Sequence, residues 1–322
     1  MPMTNTLAEL QFVDLYLGPD YCDIKGLKGT GGGRAAVPPE LVEQIAKLRE
    51  HCEEAYLSQG EPEFALVLDK VLFRVTMFPD LSGGHLFVLR RSTAELRSVA
   101  TLGLPPHVIK VVLDKDAAGA ILVAGKMAQG KTSTAGSIVR ERTKLYGGIS
   151  ITIEHPVELP LQGVYGDGRI IQVPVVERDG GYREAIRRAM RSGADLMMIG
   201  EIRSAEPAEE VALASINGQF IISTIHGGSV VDAIERFQTY CKGLKNGNEL
   251  MANGLAAVIH QELVEVPNQP HRRLNTSSLV IRDDDGVKTK IREGRISQLE
   301  QDVEDQSKRA QFNIQKLVGG RS

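Results

Sequence analysis

The sequence has little of several features that mark specialised classes of protein. Its 322 residues include no tryptophan, and aromatic residues make up 5% of the chain. Neither sign of charge dominates, because 38 basic residues are matched by 41 acidic ones and the formal net charge is −3. This balance argues against a protein that binds nucleic acid over its whole surface, although it does not exclude a local basic patch. The composition is otherwise that of an ordinary globular protein, which excludes collagen-like and low-complexity chains.

Cysteine and long apolar runs are also scarce. The three cysteines, Cys22, Cys52 and Cys241, are widely spaced and form neither a CxxC pair nor a zinc pattern. We therefore expect reduced thiols in a reducing compartment. The amino terminus shows no basic region followed by an apolar one, so no secretory signal is visible. Apolar stretches such as 117–125 are too short to span a bilayer, which predicts a cytoplasmic protein that meets a membrane only through partners.

The first hundred residues predict a small α+β module. Apolar residues recur at helical spacing from Leu41 to Ala55, which predicts a helix opened by the prolines just before it. Residues 64–68 and 71–78 read as a hairpin, and residues 85–90 follow as a third strand. The glycine-rich segment at 29–33 is interpreted as a loop without chemistry.

Beyond a Pro/Gly linker at 102–106, apolar strands alternate with helical stretches. This alternation predicts an α/β domain with a mostly parallel sheet. The predicted strands are 121–124, 149–153, 196–199 and 220–223. The predicted helices between them are 132–142, 182–191 and 207–216.

After residue 281 the chain becomes polar. Residues 282–286 predict a turn, and a last helix carries a partial heptad stripe that Gln306 interrupts. Packing of this helix on a neighbouring surface is therefore favoured over a coiled coil. The whole pattern predicts three regions: an N-terminal α+β module at 1–100, a P-loop domain at 107–281 and a polar C-terminal helical tail at 282–322.

The phosphate-binding pattern G-x-x-x-x-G-K-[ST] occurs at residues 125–132 with every fixed position matched. An apolar strand precedes it and a helical pattern follows, which is the context that this motif requires. Backbone N–H groups of residues 129–132 are expected to point at phosphates, with Lys131 neutralising their charge and Thr132 ligating Mg²⁺. The motif therefore predicts a nucleoside triphosphate site. Its predicted binding residues are Gly125, Ala128, Gln129, Gly130, Lys131, Thr132 and Ser133.

The motif alone leaves open how hydrolysis is used. A GTPase would carry a guanine-selecting [NT]-K-x-D after the P-loop, and the sequence has none. A small-molecule kinase would leave the N-terminal module and the downstream acidic motifs without a role.

Polar residues end three further predicted strands. Glu154 and Glu158 follow the strand at 149–153. Glu201 ends an apolar strand in the form of a Walker B element, and His226 ends the next strand. Because ligands collect at the carboxyl edge of an open α/β sheet, these groups are expected to form one site with the P-loop.

In this order the motifs resemble those of the type II/type IV secretion ATPase superfamily, in its PilT-like pilus-retraction and DotB-like secretion branch. The family's Walker A motif, acidic box, Walker B motif and histidine box match residues 125–132, 154–158, 195–201 and 224–226. Upstream, residues 73–76 and 87–91 resemble the end of the family's PAS-like module. The resemblance implies an α/β fold, with a RecA-like P-loop NTPase core and a smaller N-terminal α+β (PAS-like) domain.

The resemblance also implies roles for individual residues. Glu158 would activate or orient the attacking water, Glu201 would support Mg²⁺ and that water, and His226 would sense the γ-phosphate. The implied cofactors are ATP and Mg²⁺, with Thr132 and Glu201 as the metal ligands. His155 replaces the usual aspartate of the acidic box, so that Glu158 must carry more of its role.

Arginines stand where the family's N-terminal module presents them to the nucleotide. These are Arg74, Arg90 and Arg91, of which Arg90 and Arg91 are the catalytic candidates. Arginine fingers of this kind speed phosphoryl transfer by roughly 10³–10⁵. Further candidates close to Walker B in the core are Arg187, Arg191 and Arg203.

The implied function is that of a Mg²⁺-dependent cytoplasmic ATPase, a homo-hexameric ring that powers a type IV secretion, conjugation or type IV pilus machine. It would reach the inner membrane through platform proteins, without specific nucleic acid and without inserting itself. The pilus-retraction signature expected beyond about Arg273 is missing, which favours secretion or conjugation over strict pilus retraction. Two alternatives stay open. A RecA-like nucleic-acid motor would want a basic groove with stacking aromatics, and a low-turnover ATP-binding regulator is permitted by the altered acidic box.

Overall fold

The computed structural model describes residue 7 and residues 9–92, 96–267 and 272–319, with side chains to residue 312. The chain divides into two compact units. The first takes the described residues up to 94 together with 154–160 and 174–181, and the second takes the described remainder.

The first unit is built around an antiparallel sheet and one long helix. Its elements are β1 (Asp14–Leu17), β2 (Cys22–Lys25), β3 (Arg34–Ala36), α1 (Val42–Gln59), β4 (Glu63–Leu68), β5 (Val71–Pro79) and β6 (His85–Arg91). The six strands lie in the order β3-β2-β1-β6-β5-β4. The helix buries Ile45, Leu48 and Cys52, whose spacing of three and four places them on one face. They join a core that contains the buried rings of Phe64, Phe73 and Phe87.

The predicted hairpin is confirmed by the pairing of β4 with β5, in which Leu68 lies opposite Val71. The connecting residues Asp69 and Lys70 both have left-handed backbones, with φ of 48° and 67°. Two left-handed residues in succession give a turn whose twist matches that of the paired strands.

The second unit is a sheet with helices along it. Its elements are α2 (Pro106–Val112), β7 (Gly119–Gly125), α3 (Lys131–Tyr146), β8 (Gly148–Glu154), β9 (Gly163–Tyr165), β10 (Gly168–Pro174), α4 (Gly181–Arg191), β11 (Leu196–Ile202), α5 (Ala205–Ser215), β12 (Phe220–His226), α6 (Val230–Tyr240), α7 (Gly247–Gly254), β13 (Leu255–Val264), β14 (Arg273–Val280), α8 (Asp285–Arg292) and α9 (Leu299–Gly319). The sheet is eight-stranded, in the order β14-β13-β7-β12-β11-β8-β10-β9.

The centre of this sheet is parallel and its margins are antiparallel. Strands β13, β7, β12, β11 and β8 run parallel, whereas β14 is antiparallel to β13 and β9 to β10. Every residue of β7 is buried. A central parallel strand is covered on both faces, which is why it reads as a continuous apolar run. The arrangement brings the carboxyl ends of β7, β11 and β12 side by side.

The polar segment after residue 281 differs from its prediction. The turn expected over 282–286 gives way at Asp285 to the helix α8. The Asp284 carboxylate accepts the Val287 N–H at 3.1 Å and caps this helix. The predicted turn is thus limited to residues 282–283, and Asp284 and Asp285 are the cap and first residue of the helix, where their negative charge meets the positive end of the helix dipole. Val287 and Ile291 are buried.

Helix α9 contacts the edge strand β14 through Gln306. The Gln306 amide donates to the Val280 carbonyl at 2.9 Å and accepts from the Val280 N–H at 2.8 Å. The side chain thereby occupies backbone groups that an edge strand would otherwise leave open. This contact explains why glutamine interrupts the apolar stripe of the helix.

The three cysteines are free, as expected from their spacing. Burial is the main cause that raises the pKa of Cys22, Cys52 and Cys241 to about 12. Thiols with so high a pKa hold little thiolate and are inert at neutral pH. Among the described helices, none has both the length and the apolar character needed to cross a bilayer.

Candidate functional site

The P-loop lies between the buried strand β7 and the helix α3. The loop leaves β7 at Gly125, and Gly130, with φ of 77°, is the N-cap of α3. Because glycine has no side chain to cap the helix, the first N–H groups of α3 can be given to an anion. The start of the loop packs closely against the Gln261 backbone. A Cβ atom at Gly125 would lie only 2.6 Å from the Gln261 carbonyl oxygen, so that a side chain there would clash.

Lys131 points inward from the first turn of α3. Its side chain is 8% exposed, and its Nζ lies 3.6 Å from Glu201 Oε1. It also donates to the Lys126 carbonyl at 3.1 Å, across the mouth of the loop. The ammonium group is therefore held at the P-loop, facing the carboxylate that ends the Walker B strand.

Glu201 is the centre of the charged cluster in the second unit. Its Oε1 lies 3.1 Å from His226 Nε2, and its Oε2 accepts from Arg203 Nε at 2.5 Å. With Lys131, two cations and an imidazole surround one carboxylate whose side chain is 15% exposed. The predicted convergence of Lys131, Glu201 and His226 is thus seen in the described structure.

A break in strand register directs Glu201 toward this cluster. The pairing of β11 with β12 shifts between Ile199 and Glu201. Two hydroxyls of β12 hold the shifted segment: Ser223 donates to the Ile199 carbonyl and Thr224 to the Gly200 carbonyl, each at 2.7 Å. A bulge of this kind re-aims a side chain beside a functional site.

The surroundings of His226 favour the neutral form of its imidazole, because they lower its pKa. Burial lowers its pKa below the ordinary value, and the nearby Lys131 ammonium lowers it further, whereas Glu201 acts in the opposite direction. A neutral ring has one N–H donor and one acceptor nitrogen. It can therefore exchange hydrogen bonds with a carboxylate or a phosphate without adding a full charge.

Thr132 and Glu201 fit a magnesium ion that also binds phosphates. Both supply oxygen, the donor that Mg²⁺ takes, and Mg²⁺ is commonly held by one or two protein ligands plus phosphate oxygens and water. Within the described residues, no cluster of His, Cys, Asp and Glu forms a metal cage by itself.

The acidic box groups with the first unit. Glu154 ends β8 and is buried, and its Oε2 accepts the Glu158 N–H at 3.4 Å. Arg74 Nη1 donates to Glu158 Oε1 at 2.8 Å. The Ser92 hydroxyl donates to the Glu158 carbonyl, also at 2.8 Å. Glu158 is therefore held in an ion pair with the first of the N-terminal arginines.

Arg90, Arg91 and Arg187 also have partners. Arg90 pairs with the buried Asp14 carboxylate at 2.8 and 3.1 Å, and Arg91 donates to the Leu10 carbonyl. In the second unit, Arg187 Nη2 donates to Glu210 Oε1 at 2.8 Å. In this structure these guanidinium groups are engaged within their own units.

Sequence reasoning missed the contacts that strand β13 makes with the P-loop. Gln129 was predicted to bind nucleotide, and its side-chain Oε1 accepts the Leu263 N–H at 2.5 Å. Gln261 Nε2 in turn donates to the Gln129 carbonyl at 2.5 Å. The only signal in the sequence was an amide at a variable position of the loop, and nothing there named its partner.

Comparison with known proteins gives a family. The profile described as type II/IV secretion system protein matches residues 46–314. The chain is 29% identical over 206 residues to the type IV pilus ATPase PilU of Pseudomonas aeruginosa, across 62% of this chain and 52% of PilU. It is 31% identical over 217 residues to the type II secretion system protein HxcR of the same organism, across 65% of this chain and 42% of HxcR. The chain spans about half the length of these curated relatives.

Solved structures share the fold. The pilus retraction motor PilT with bound ADP superposes with a TM-score of 0.74 at 23% identity, over 91% of this chain and 86% of that chain. The Legionella pneumophila ATPase DotB gives a TM-score of 0.69 at 18% identity, over 90% and 84%. At these identities the likeness establishes the fold alone.

The fold and the P-loop cluster are those of a P-loop NTPase, with a RecA-like core and a smaller N-terminal α+β domain. The chain belongs to the type II/IV secretion system protein family, whose profile spans most of its length. The family resemblance and the fold class predicted from the sequence are both confirmed.

Proposed function

We propose that this chain is a Mg²⁺-dependent ATPase that powers a type IV secretion, conjugation or type IV pilus machine. The observation that carries the proposal is the convergence of Lys131 and His226 on Glu201, beside a P-loop with an uncapped helix N-terminus. Two relatives support it: PilU, which is named a type IV pilus ATPase, and HxcR, which is named a type II secretion system protein.

In this function the Lys131 ammonium group moves from the Glu201 carboxylate to the phosphates of ATP. In the structure its ammonium charge is balanced by Glu201 at 3.6 Å. The β and γ phosphates of ATP bring more negative charge to the same position, so the ammonium group turns to them. Glu201 keeps Arg203 and His226, and its carboxylate becomes available to orient water. Bound Mg²⁺ would neutralise the phosphates from the side of Thr132 and Glu201.

The acidic box contributes through Glu158. For this carboxylate to activate or orient the attacking water, its ion pair with Arg74 must open or share the oxygen. In the structure this proposed base is paired with a cation, the Arg74 guanidinium. Arg90 and Arg91 remain the proposed arginine fingers, and the use of Arg90 would require it to leave Asp14.

We place the ATPase in a homo-oligomer, a hexameric ring in the cytoplasm, that is peripheral to the inner membrane through platform proteins. Family membership supports this assembly. The three regions at 1–100, 107–281 and 282–322 are proposed as its N-terminal module, its P-loop domain and its tail. The choice among machines rests on the missing retraction signature, which favours secretion or conjugation.

Steady-state hydrolysis of ATP with Mg²⁺, with EDTA and with single-stranded DNA tests the proposal. We expect turnover that requires Mg²⁺, does not respond to DNA, and rises with protein concentration as oligomers form by light scattering. Stimulation by single-stranded DNA would indicate a nucleic-acid motor. Tight ATP binding without turnover in the oligomer would indicate a regulator. Either outcome would overturn the proposed function.

A further inference from the structure

A cavity of about 640 Å³ adjoins the P-loop in the second unit. Its volume falls within the roughly 300–1,000 Å³ of small-molecule sites. One wall is a single face of α3 with its cap, formed by Gly130, Ser133, Thr134 and Ser137 at spacings of three and four. The phosphate loop and this cavity therefore share Gly130, so that a ligand whose phosphates bind at the loop can extend into the cavity.

Other lining residues are apolar or basic. Leu263 and Leu274 supply apolar surface, and Arg97, Arg272 and Arg273 supply cationic groups. Among the described lining residues there is no acidic side chain. Guanidinium groups stack on flat aromatic faces and attract anions. A flat heterocycle attached to a phosphate chain matches these residues.

Gln261 lies between this cavity and the P-loop. Its Nε2 donates to the Gln129 carbonyl at 2.5 Å, and the N–H of Leu263, two residues on, donates to Gln129 Oε1 at 2.5 Å. The end of β13 thus holds the P-loop at a residue whose N–H is expected to face phosphate. Because the amide nitrogen is used on Gln129, the amide oxygen of Gln261 is left as an acceptor.

That oxygen is buried without a hydrogen-bond partner, and so is the hydroxyl oxygen of Ser137, another lining residue of the cavity. The Gln261 side chain is 1% exposed and Ser137 is fully buried. A buried acceptor without a partner costs about 1–3 kcal/mol. Both atoms belong to residues that line one cavity, which points to a ligand that supplies hydrogen-bonding groups there.

We propose that Gln261 couples nucleoside recognition to the phosphate loop: its amide oxygen accepts a hydrogen bond from the nucleoside of the bound nucleotide, while its amide nitrogen positions the Gln129 carbonyl. Ser137 is the second polar contact of the nucleoside. Filling the cavity thereby stiffens the loop that holds the phosphates. This inference rests on the proposed function, because it assumes that the P-loop binds a nucleotide.

The other described cavities do not offer this continuity. One is lined by Ala117, Gly148, Asp195 and Phe220, at the amino ends of β7, β8, β11 and β12. Another lies among α2, β14 and α9, with His107 and Arg309 in its lining. Neither contains a residue of the P-loop, so neither can take the remainder of a nucleotide whose phosphates lie there.

Calorimetric titration with ADP and with inorganic pyrophosphate tests the coupling. Pyrophosphate probes the P-loop alone, and the ratio of the two affinities reports the nucleoside. In wild type we expect ADP to bind at least tenfold more tightly than pyrophosphate. Gln261→Met, which keeps the length but has no amide, should lower that ratio about tenfold, the effect of roughly one hydrogen bond. It should also weaken pyrophosphate itself, because the Gln129 carbonyl is released.

Ser137→Ala is the matched variant, since it removes a lining hydroxyl that has no hydrogen bond to the P-loop. It should lower the ADP-to-pyrophosphate ratio and leave pyrophosphate affinity unchanged. Thermal unfolding checks that both variants are folded. An unchanged ratio in both variants, as expected if water satisfies these atoms, overturns the inference; so does unchanged pyrophosphate affinity in Gln261→Met. If wild-type protein binds pyrophosphate and ADP equally, this inference is overturned and the proposed function is not. If it binds neither, the proposed nucleotide site is overturned as well.

Discussion

Replacing Lys131 with alanine removes an ammonium group that lies 3.6 Å from Glu201 with its side chain 8% exposed. At an effective dielectric constant of about 20, two unit charges at this separation attract by roughly 4–5 kcal/mol. Desolvation of the two charges offsets most of that attraction. Glu201 also keeps Arg203 at 2.5 Å and His226 at 3.1 Å, so its carboxylate is not left unpaired. We therefore expect the free energy of unfolding to change by about 1 kcal/mol or less.

Arg203 and His226 still contact Glu201 when Lys131 is removed, but in our account no other group takes over the contact of Lys131 with the phosphates. The phosphates lose a charge-assisted hydrogen bond from a site largely closed to water, worth about 3 kcal/mol. This corresponds to a Kd for ATP weaker by about 100-fold. Isothermal titration with ATP measures the affinity, and urea unfolding of the same samples measures the stability.

Lys126→Ala is the control for this experiment. Lys126 lies in the same loop and carries the same charge, but it is exposed. Because solvent and salt screen an exposed charge, its removal should change the Kd for ATP by about threefold or less. Equal weakening by both substitutions would refute the geometric reasoning, since only net charge would then matter. ATP affinity that is unchanged in a folded Lys131→Ala protein would refute the nucleotide site.

Other substitutions test the local physics of the fold. Ala128 in the P-loop has φ of 60°, a conformation that costs a non-glycine residue about 1 kcal/mol, so Ala128→Gly should raise the free energy of unfolding by up to about 1 kcal/mol. Ala135→Gly inside α3 should lower the free energy of unfolding by about the same amount. Urea titrations in which both substitutions change stability in the same direction would contradict this. Gln306→Leu removes both hydrogen bonds to the edge strand and should destabilise by about 1–2 kcal/mol, measured by thermal unfolding, while Gln301→Leu on an exposed part of the same helix should have little effect. Burial lowers the pKa of His107, so that below about pH 6.5 this histidine is protonated more readily in the unfolded chain than in the folded one. The free energy of unfolding should therefore fall as the pH drops below about 6.5 and level off below the pKa of the folded state. His107→Gln should flatten that fall, and an unchanged pH dependence would show that this histidine is not its cause.

The sequence was most informative where chemistry fixes the spacing along the chain. The P-loop has a fixed pattern between a strand and a helix, so its position and its elements could be read directly, and the structure has β7 and α3 on either side of it. The hairpin at Asp69-Lys70 was equally local, since two short β-rich runs were separated by two residues. In both cases the determining contacts lie within a few residues of each other.

It was least informative where partners lie far apart in the chain. The bond from Gln261 to Gln129 joins residues 132 positions apart, and that from Arg74 to Glu158 joins residues 84 positions apart. Strand β13 was not predicted, because an apolar run of its length fits a buried helix as well as a buried strand. The site therefore could be placed from the sequence, but the residues that hold its loop in position could not. The boundaries of the three predicted regions stay a prediction.

The most direct test of ATP hydrolysis at this site compares turnover and ATP binding in Glu201→Gln with those of the wild type. Glutamine keeps the shape of the side chain but loses the negative charge toward which Lys131, Arg203 and His226 converge. We expect ATP affinity within a few-fold of wild type and turnover lower by roughly 10²–10³, the usual cost of losing one electrostatic group from an active site. Glu235→Gln, the same chemical change at an exposed position of α6, should leave turnover close to wild type. Hydrolysis by a folded Glu201→Gln protein at the wild-type rate would contradict the account.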